Sequence, residues 1–161
     1  MDQIDALCAV LGEETRVLGN LANALRDEQR ALVALRPEAI FAALVERREL
    51  GDELEGLAYG RRTLVRELGA DPRASRASLA TVLPGLSPDA RTRLEGPLRT
   101  LRRALLEARG LERQNRRLAE ASLRQTDDLL QTLRSLVPGA RYGADARLAA
   151  SPTLEQLDRR A

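Results

Sequence analysis

Ile4, Leu11, Leu18, Leu25 and Leu32 recur every seven residues, and a companion track of Leu7, Glu14, Leu21, Glu28 and Leu35 alternates leucine with glutamate. A seven-residue apolar repeat belongs to an α-helix packed along its length on other helices, whereas a strand alternates every two. The pattern predicts a helix over residues 3–35, about 34 residues and ~50 Å long. It should stop near Arg36, because Pro37 disfavours α geometry in the residue before it and suits the first turn of a new helix.

The second segment repeats the design over 38–68. Ala43, Leu50, Leu57 and Leu64 form one track, and Ile40, Arg47, Leu54, Arg61 and Leu68 the other, with Gly69 as a stop signal and Asp71-Pro72 beyond it. Two helices joined at one proline fold back most simply as an antiparallel hairpin. Positions then pair when their numbers sum to about 74, which brings Glu28 near Arg47 and Glu14 near Arg61. Partly buried pairs of this kind set register more than stability; the alternative places all four side chains on the surface.

Residues 70–96 carry weaker signals. Ser75–Leu83 reads as a short helix ended by Pro84-Gly85, and Ser87-Pro88 is a second start signal, serine as cap and proline at the first helical position. At Gly96-Pro97 either a helix kinks or a short one ends and a longer one begins; we take the restart, giving a third long helix over 97–137. Its apolar track runs through Leu98, Leu101, Leu105, Ala108, Leu111, Leu118, Leu129, Leu133 and Leu136. In its middle, Glu112, Asn115, Ala119, Ser122 and Thr126 stand at positions that are leucine on either side. That dilution reads either as loose packing where a partner helix has ended or as a face kept for a transient partner, and a single buried Asn can fix register.

Composition agrees with the periodicity. The chain has 31 Leu and 25 Ala against seven Val, two Ile and three aromatics, Phe41, Tyr59 and Tyr142. Leucine and alanine favour helices, and strands want β-branched and aromatic residues. The expected fold is all-α: an antiparallel, coiled-coil-like bundle of long helices over 1–137, and a flexible tail over 138–161 with a short helix at 152–159. That last segment, Ser151 to Leu157, has helix-start chemistry and two leucines but is too short to be stable alone.

What is missing narrows the function. With no His and no Lys there is no His-based nucleophile or metal site, no Walker A loop and no Schiff base. Cys8 stands alone, so thiolate zinc sites and intramolecular disulfides are excluded, and its place beside the first apolar stripe suits a packed thiol. We expect no catalytic residue, no cofactor, no metal and no enzyme. No apolar run approaches the ~18 residues that span a bilayer, and the opening MDQIDALCAV is acidic rather than signal-like. A cytoplasmic protein without stable membrane insertion is the expectation.

The net charge of +2 conceals a segregation. Residues 2–35 hold six acids and three Arg, residues 37–69 seven acids and five Arg, and residues 97–137 nine Arg and five acids. Either the acidic hairpin packs on the basic helix, or Arg102, Arg103, Arg109, Arg113, Arg116, Arg117 and Arg124 form a face aimed at an acidic partner or a phosphate backbone. Three aromatics leave almost no base-stacking platform, and nucleic acid is not the expected partner.

Residues alone reach a helical bundle suited to a chaperone, an adaptor or a homo-oligomeric coiled-coil scaffold. Family pattern goes further. Arg62-Thr63-Leu64-Val65-Arg66-Glu67-Leu68-Gly69, Glu112-Arg113-Gln114-Asn115-Arg116-Arg117-Leu118, Asp127-Asp128-Leu129-Leu130-Gln131-Thr132-Leu133 and Tyr142-Gly143-Ala144-Asp145-Ala146 make the chain resemble the FlgN family of flagellar export chaperones over nearly its whole length. Ala146 stands where the family pattern has Gly. The resemblance implies a cytoplasmic carrier, monomer or weak dimer, for the two hook-filament junction (hook-associated) proteins, delivered to the export gate of the flagellar type III secretion system. The partner site falls to Leu123, Leu129, Leu130, Leu133, Leu136 and Tyr142, leucines beyond the reach of the hairpin and an amphipathic ring after the helix. By resemblance Tyr142 contacts either the carried helix or the gate. The alternative packs these leucines on residues 75–95 and leaves Tyr142 incidental.

Overall fold

The computed structural model describes residues 2–69 and 79–136, and these are helical almost throughout, with no strand among them. Helix α1 spans Gln3–Val33, α2 Pro37–Glu67, α3 Leu79–Val82 and α4 Pro88–Leu136, with a 3-10 turn at Leu83–Gly85 before α4. The expected tail over 138–161, its helix at 152–159, Tyr142 and the first part of the Ser75–Leu83 helix lie outside the described residues. The chain divides into two compact units, residues 1–119 and 120–161.

In the first unit α1 and α2 form the expected antiparallel hairpin. Ion pairs join Arg16 to Glu53, Glu28 to Arg47 and Glu14 to Arg61. Along α1 the early part of α4 runs parallel, since Asp2 and Asp5 meet Arg93, Arg26 meets Glu107, and Leu25 and Glu28 meet Asn115. The α1 heptad is buried at every position from Ile4 to Leu32. One part of the core joins Ile4, Leu7 and Leu11 to Val65 of α2, Leu79 and Val82 of α3, and Ala90 and Leu94 of α4. A second joins Leu18 and Leu25 to Ala108, with Leu21, Leu54 and Leu105 at its edge. Helix α2 buries only Ala43 and Val65, whereas α1, flanked by α2 on one side and the early part of α4 on the other, buries twelve residues.

The helix ends follow local chemistry. Asp2 caps α1, its Oδ1 accepting from the Ile4 N–H at 3.4 Å, while Oδ2 accepts from Arg93 at 3.2 Å. The bond to Asp2, with the charge of Asp5, holds the Arg93 guanidinium above its ordinary pKa. At the other end of α1 the N–H of Arg36 reaches the Ala31 carbonyl and that of Leu35 the Leu32 carbonyl, the paired bonds of a Schellman turn. That turn needs a left-handed residue, and here Leu35 takes it at φ 50° where glycine would be unstrained. Gly69, at φ 100°, ends α2 without that strain.

The restart expected at Pro97 is not found. Helix α4 begins at Pro88, with Ser87 Oγ accepting from the Ala90 N–H at 3.2 Å, and runs through Pro97 without ending. Proline lacks the N–H that would bond the Arg93 carbonyl four residues back. In its place Cys8 of α1 donates its thiol to that carbonyl at 3.8 Å, a weak bond that still gives the orphaned oxygen a partner. Gly96 has no Cβ to crowd the proline ring, and Leu94, Leu98 and Leu101 anchor both sides of the interruption in the core. Packing thus overrides a local breaker signal.

Candidate functional site

Two features of α4 bear on function: a polar cluster in the first unit and an exposed leucine face in the second. The cluster centres on Glu28, whose side chain is 8% exposed. One guanidinium nitrogen of Arg47 donates to both carboxylate oxygens at 2.9 Å, and Asn115 Nδ2 donates to Oε2 at 2.9 Å and to the Leu25 carbonyl at 2.7 Å. The second Arg47 nitrogen reaches Glu112 at 3.5 Å. Two heptads away, Arg61 Nε donates to Glu14 at 3.0 Å. Both pairings expected from a turn at Pro37 are present, and both carboxylates are buried. Of the diluted positions, Asn115 is therefore not loosely packed, being only 2% exposed and stitching α4 to the Glu28–Arg47 pair, while the half-exposed Glu112 reaches that pair from the rim. Two buried oxygens, Glu14 Oε2 and Asn115 Oδ1, have no partner among the described residues.

The charge segregation resolves in an unexpected way. Acids of α4, Glu107 and Glu112, pair with Arg26 and Arg47 of the hairpin, and among the described residues only Arg93 of the α4 arginines meets hairpin acids. The seven arginines from Arg102 to Arg124 are exposed and form no ion pair among the described residues. Sequence reasoning missed the Arg26–Glu107 and Arg93 contacts, because net charge says nothing of which residues face each other.

In the second unit, residues 120–136 are one stretch of helix. Leu123, Leu129, Leu130, Leu133 and Leu136 are 67%, 65%, 45%, 57% and 70% exposed. The side-chain hydrogen bonds there stay within the helix, as Thr126 to the Ser122 carbonyl and Thr132 to the Asp128 carbonyl. Five large apolar side chains on four turns of helix thus each forgo ~1.5–3 kcal/mol of burial among the described residues. The sixth expected site residue, Tyr142, lies outside the described residues. Among the described residues no helix is long and apolar enough to cross a membrane, and no group of three or more acidic, Cys or His side chains is placed to hold a metal ion.

Comparison with curated proteins and with solved structures found no match. A scan of family models matched one described as FlgN protein over residues 1–150, which takes in every described residue, the buried Asn115 and Tyr142. On that match the chain belongs to the FlgN family.

Proposed function

We propose that this protein is a flagellar export chaperone that binds the C-terminal helical segments of the hook-filament junction proteins and delivers them to the type III secretion gate from the cytoplasm. Family membership supports the chaperone role, in a family of chaperones rather than enzymes. The observation that carries the binding site is the exposed leucine face from Leu123 to Leu136. A helix with an apolar stripe finds there the anchors it needs at helical spacing, and the polar neighbours Ser122 and Thr126 keep the grip weak enough for release. Tyr142 serves either that helix or the gate.

Truncation after Val137 and, separately, Leu129→Ala with Leu133→Ala should each weaken pull-down of the hook-associated proteins while leaving the helical circular-dichroism signal nearly intact. Tyr142→Ala should spare pull-down and impair export if the ring serves the gate. Wild-type binding by both the truncated and the double-Ala chains would move the site elsewhere, with the hairpin face from Leu50 to Leu64 next. A homo-oligomeric scaffold is the weaker reading, because the Ile4–Leu32 track that would zip two chains together is already buried within this one.

A further inference from the structure

Between α3 and the early part of α4 lies an apolar groove of about 750 Å³, with Leu79, Leu83, Leu98, Leu101 and Leu105 among its lining residues. Arg91, Arg99 and Arg102 stand around it with Glu95 as the only acid, a net charge of +2. We infer that this groove is a second docking site, separate from the leucine face of the second unit, and that it takes an amphipathic helix with acidic flanks supplied by another protein.

The shape argues for a helix. Leu98, Leu101 and Leu105 are spaced i, i+3 and i+7, the anchor spacing of a helix-in-groove contact. The α4 side of the groove runs from Arg91 to Leu105, ~21 Å of helix, which matches a partner of about 14 residues. Among the described residues the facing wall is short, formed by Leu79, Ala80 and Leu83, so a partner helix can lie along α4 with one side covered.

The charge argues for acids on that helix. Arg99, Arg102 and Glu95 form no ion pair among the described residues, and Arg91 commits only its Nε, to the Leu86 carbonyl at 3.1 Å. The acids of α1 that reach α4 go to Arg93 instead. Residues 70–78, which precede α3 in the chain, carry Arg73 and Arg76 against a single Asp71 and hold no leucine. Like charge and the lack of any apolar side chain larger than proline make them a poor occupant. A nucleic acid would satisfy the arginines but leave the half-buried Leu83, Leu98, Leu101 and Leu105 without an apolar cover.

The test uses a fluorescein-labelled synthetic helix of about 14 residues, with leucines at i, i+3 and i+7 and glutamates beside them, titrated with the full chain and read by anisotropy. Binding is expected, and Arg99→Glu with Arg102→Glu should weaken it on the order of tenfold without lowering pull-down of the junction proteins. Thr92→Trp, which fills the groove from an exposed position, should weaken it similarly. A peptide with serines for the leucines should not bind. No binding by the wild-type chain, or binding unchanged in the Arg99→Glu, Arg102→Glu chain, overturns the inference. So does displacement by the leucine-free peptide or by a single-stranded oligonucleotide, which would show a general polyanion surface, and so does an equal loss in Arg113→Glu with Arg117→Glu. Binding about tenfold tighter to a chain truncated after Val137 would instead make residues 138–161 the occupant, against a partner in trans.

Discussion

Replacing Arg47 by Ala strips Glu28 of both hydrogen bonds from its cationic partner while leaving the carboxylate in place. Glu28 is 8% and Arg47 26% exposed at the side chain, so the change leaves a nearly buried charge with one neutral donor, Asn115. Removing one member of a buried pair costs ~3–5 kcal/mol. The exposed part of Arg47 and the water that enters its vacated volume reduce this to about 2–3 kcal/mol. The reference is Arg16→Ala: Arg16 pairs with Glu13 and Glu53, all three half-exposed, and its loss should leave the unfolding midpoint nearly unchanged. Glu28→Leu combined with Arg47→Met removes both charges and restores apolar volume, and should cost no more than about 1 kcal/mol because Asn115 keeps its bond to the Leu25 carbonyl. The distinctive expectation is that the double substitution is milder than the single one. Urea unfolding followed by far-UV circular dichroism measures all three, with unchanged m-values as the check on two-state behaviour. If Arg47→Ala lies within about 0.5 kcal/mol of Arg16→Ala, or the double variant is worse than the single, the pair is not buried in the way described.

Leu35→Gly should raise stability by up to ~1 kcal/mol in the same assay, since it relieves the left-handed strain of an exposed side chain and loses only backbone entropy; a loss of stability would show that Leu35 packs. Pro97→Ala should stabilise by about 1–3 kcal/mol by returning a backbone donor to the Arg93 carbonyl, and a destabilised variant would refute the view that the proline is tolerated rather than required. Cys8→Ala should cost ~0.5–1 kcal/mol and Cys8→Ser less, because the hydroxyl still donates to that carbonyl. Leu129→Ala with Leu133→Ala should shift stability by no more than ~0.5 kcal/mol, as expected of exposed positions.

The hairpin and its two ion pairs were legible because one proline fixes the turn and a seven-residue period fixes which residues share a face. Given the turn at Pro37, Glu28 and Arg47 could hardly avoid each other. The start signal at Ser87-Pro88 was legible, but the helix's passage through Gly96-Pro97, a strong local breaker, was not: what defeats the breaker is a thiol 85 residues from the Arg93 carbonyl in sequence and leucines on both sides packed into the core. The Glu112–Asn115 stretch left its alternatives open, since a polar residue on a core track looks the same whether its partner is missing or polar. The signal was present all the same, because Glu28, Arg47, Glu112 and Asn115 are the polar interruptions of three different helices and they meet at one level of the bundle. The exposed leucines of α4 continue an apolar track, and sequence alone does not say where its cover ends.

A seam of leucines repeating every seven residues fits its neighbour almost equally well when one helix is displaced by a full heptad, and the hairpin's spacing of charges removes that freedom. Glu14 and Glu28 are fourteen residues apart, as are Arg47 and Arg61. Displacing α2 by seven residues in one direction sets Glu28 and Glu14 against Leu54 and Leu68, and in the other against Ile40 and Leu54. The two arginines fare no better, facing Leu35 and Leu21 or Leu21 and Leu7. Every slipped neighbour of a charge is then an aliphatic side chain, so all four charges lose their partners together. A displacement of fourteen residues, ~21 Å along the axis, is the first that lets any carboxylate find a guanidinium again, and it rescues one pair while uncovering a large part of the seam. The same four side chains that add little to the energy of the correct hairpin thus act as a vernier, admitting one alignment out of a ladder of near-equivalent ones. A chain with only three aromatic residues to interlock its core relies on that vernier to hold its first two helices in one alignment.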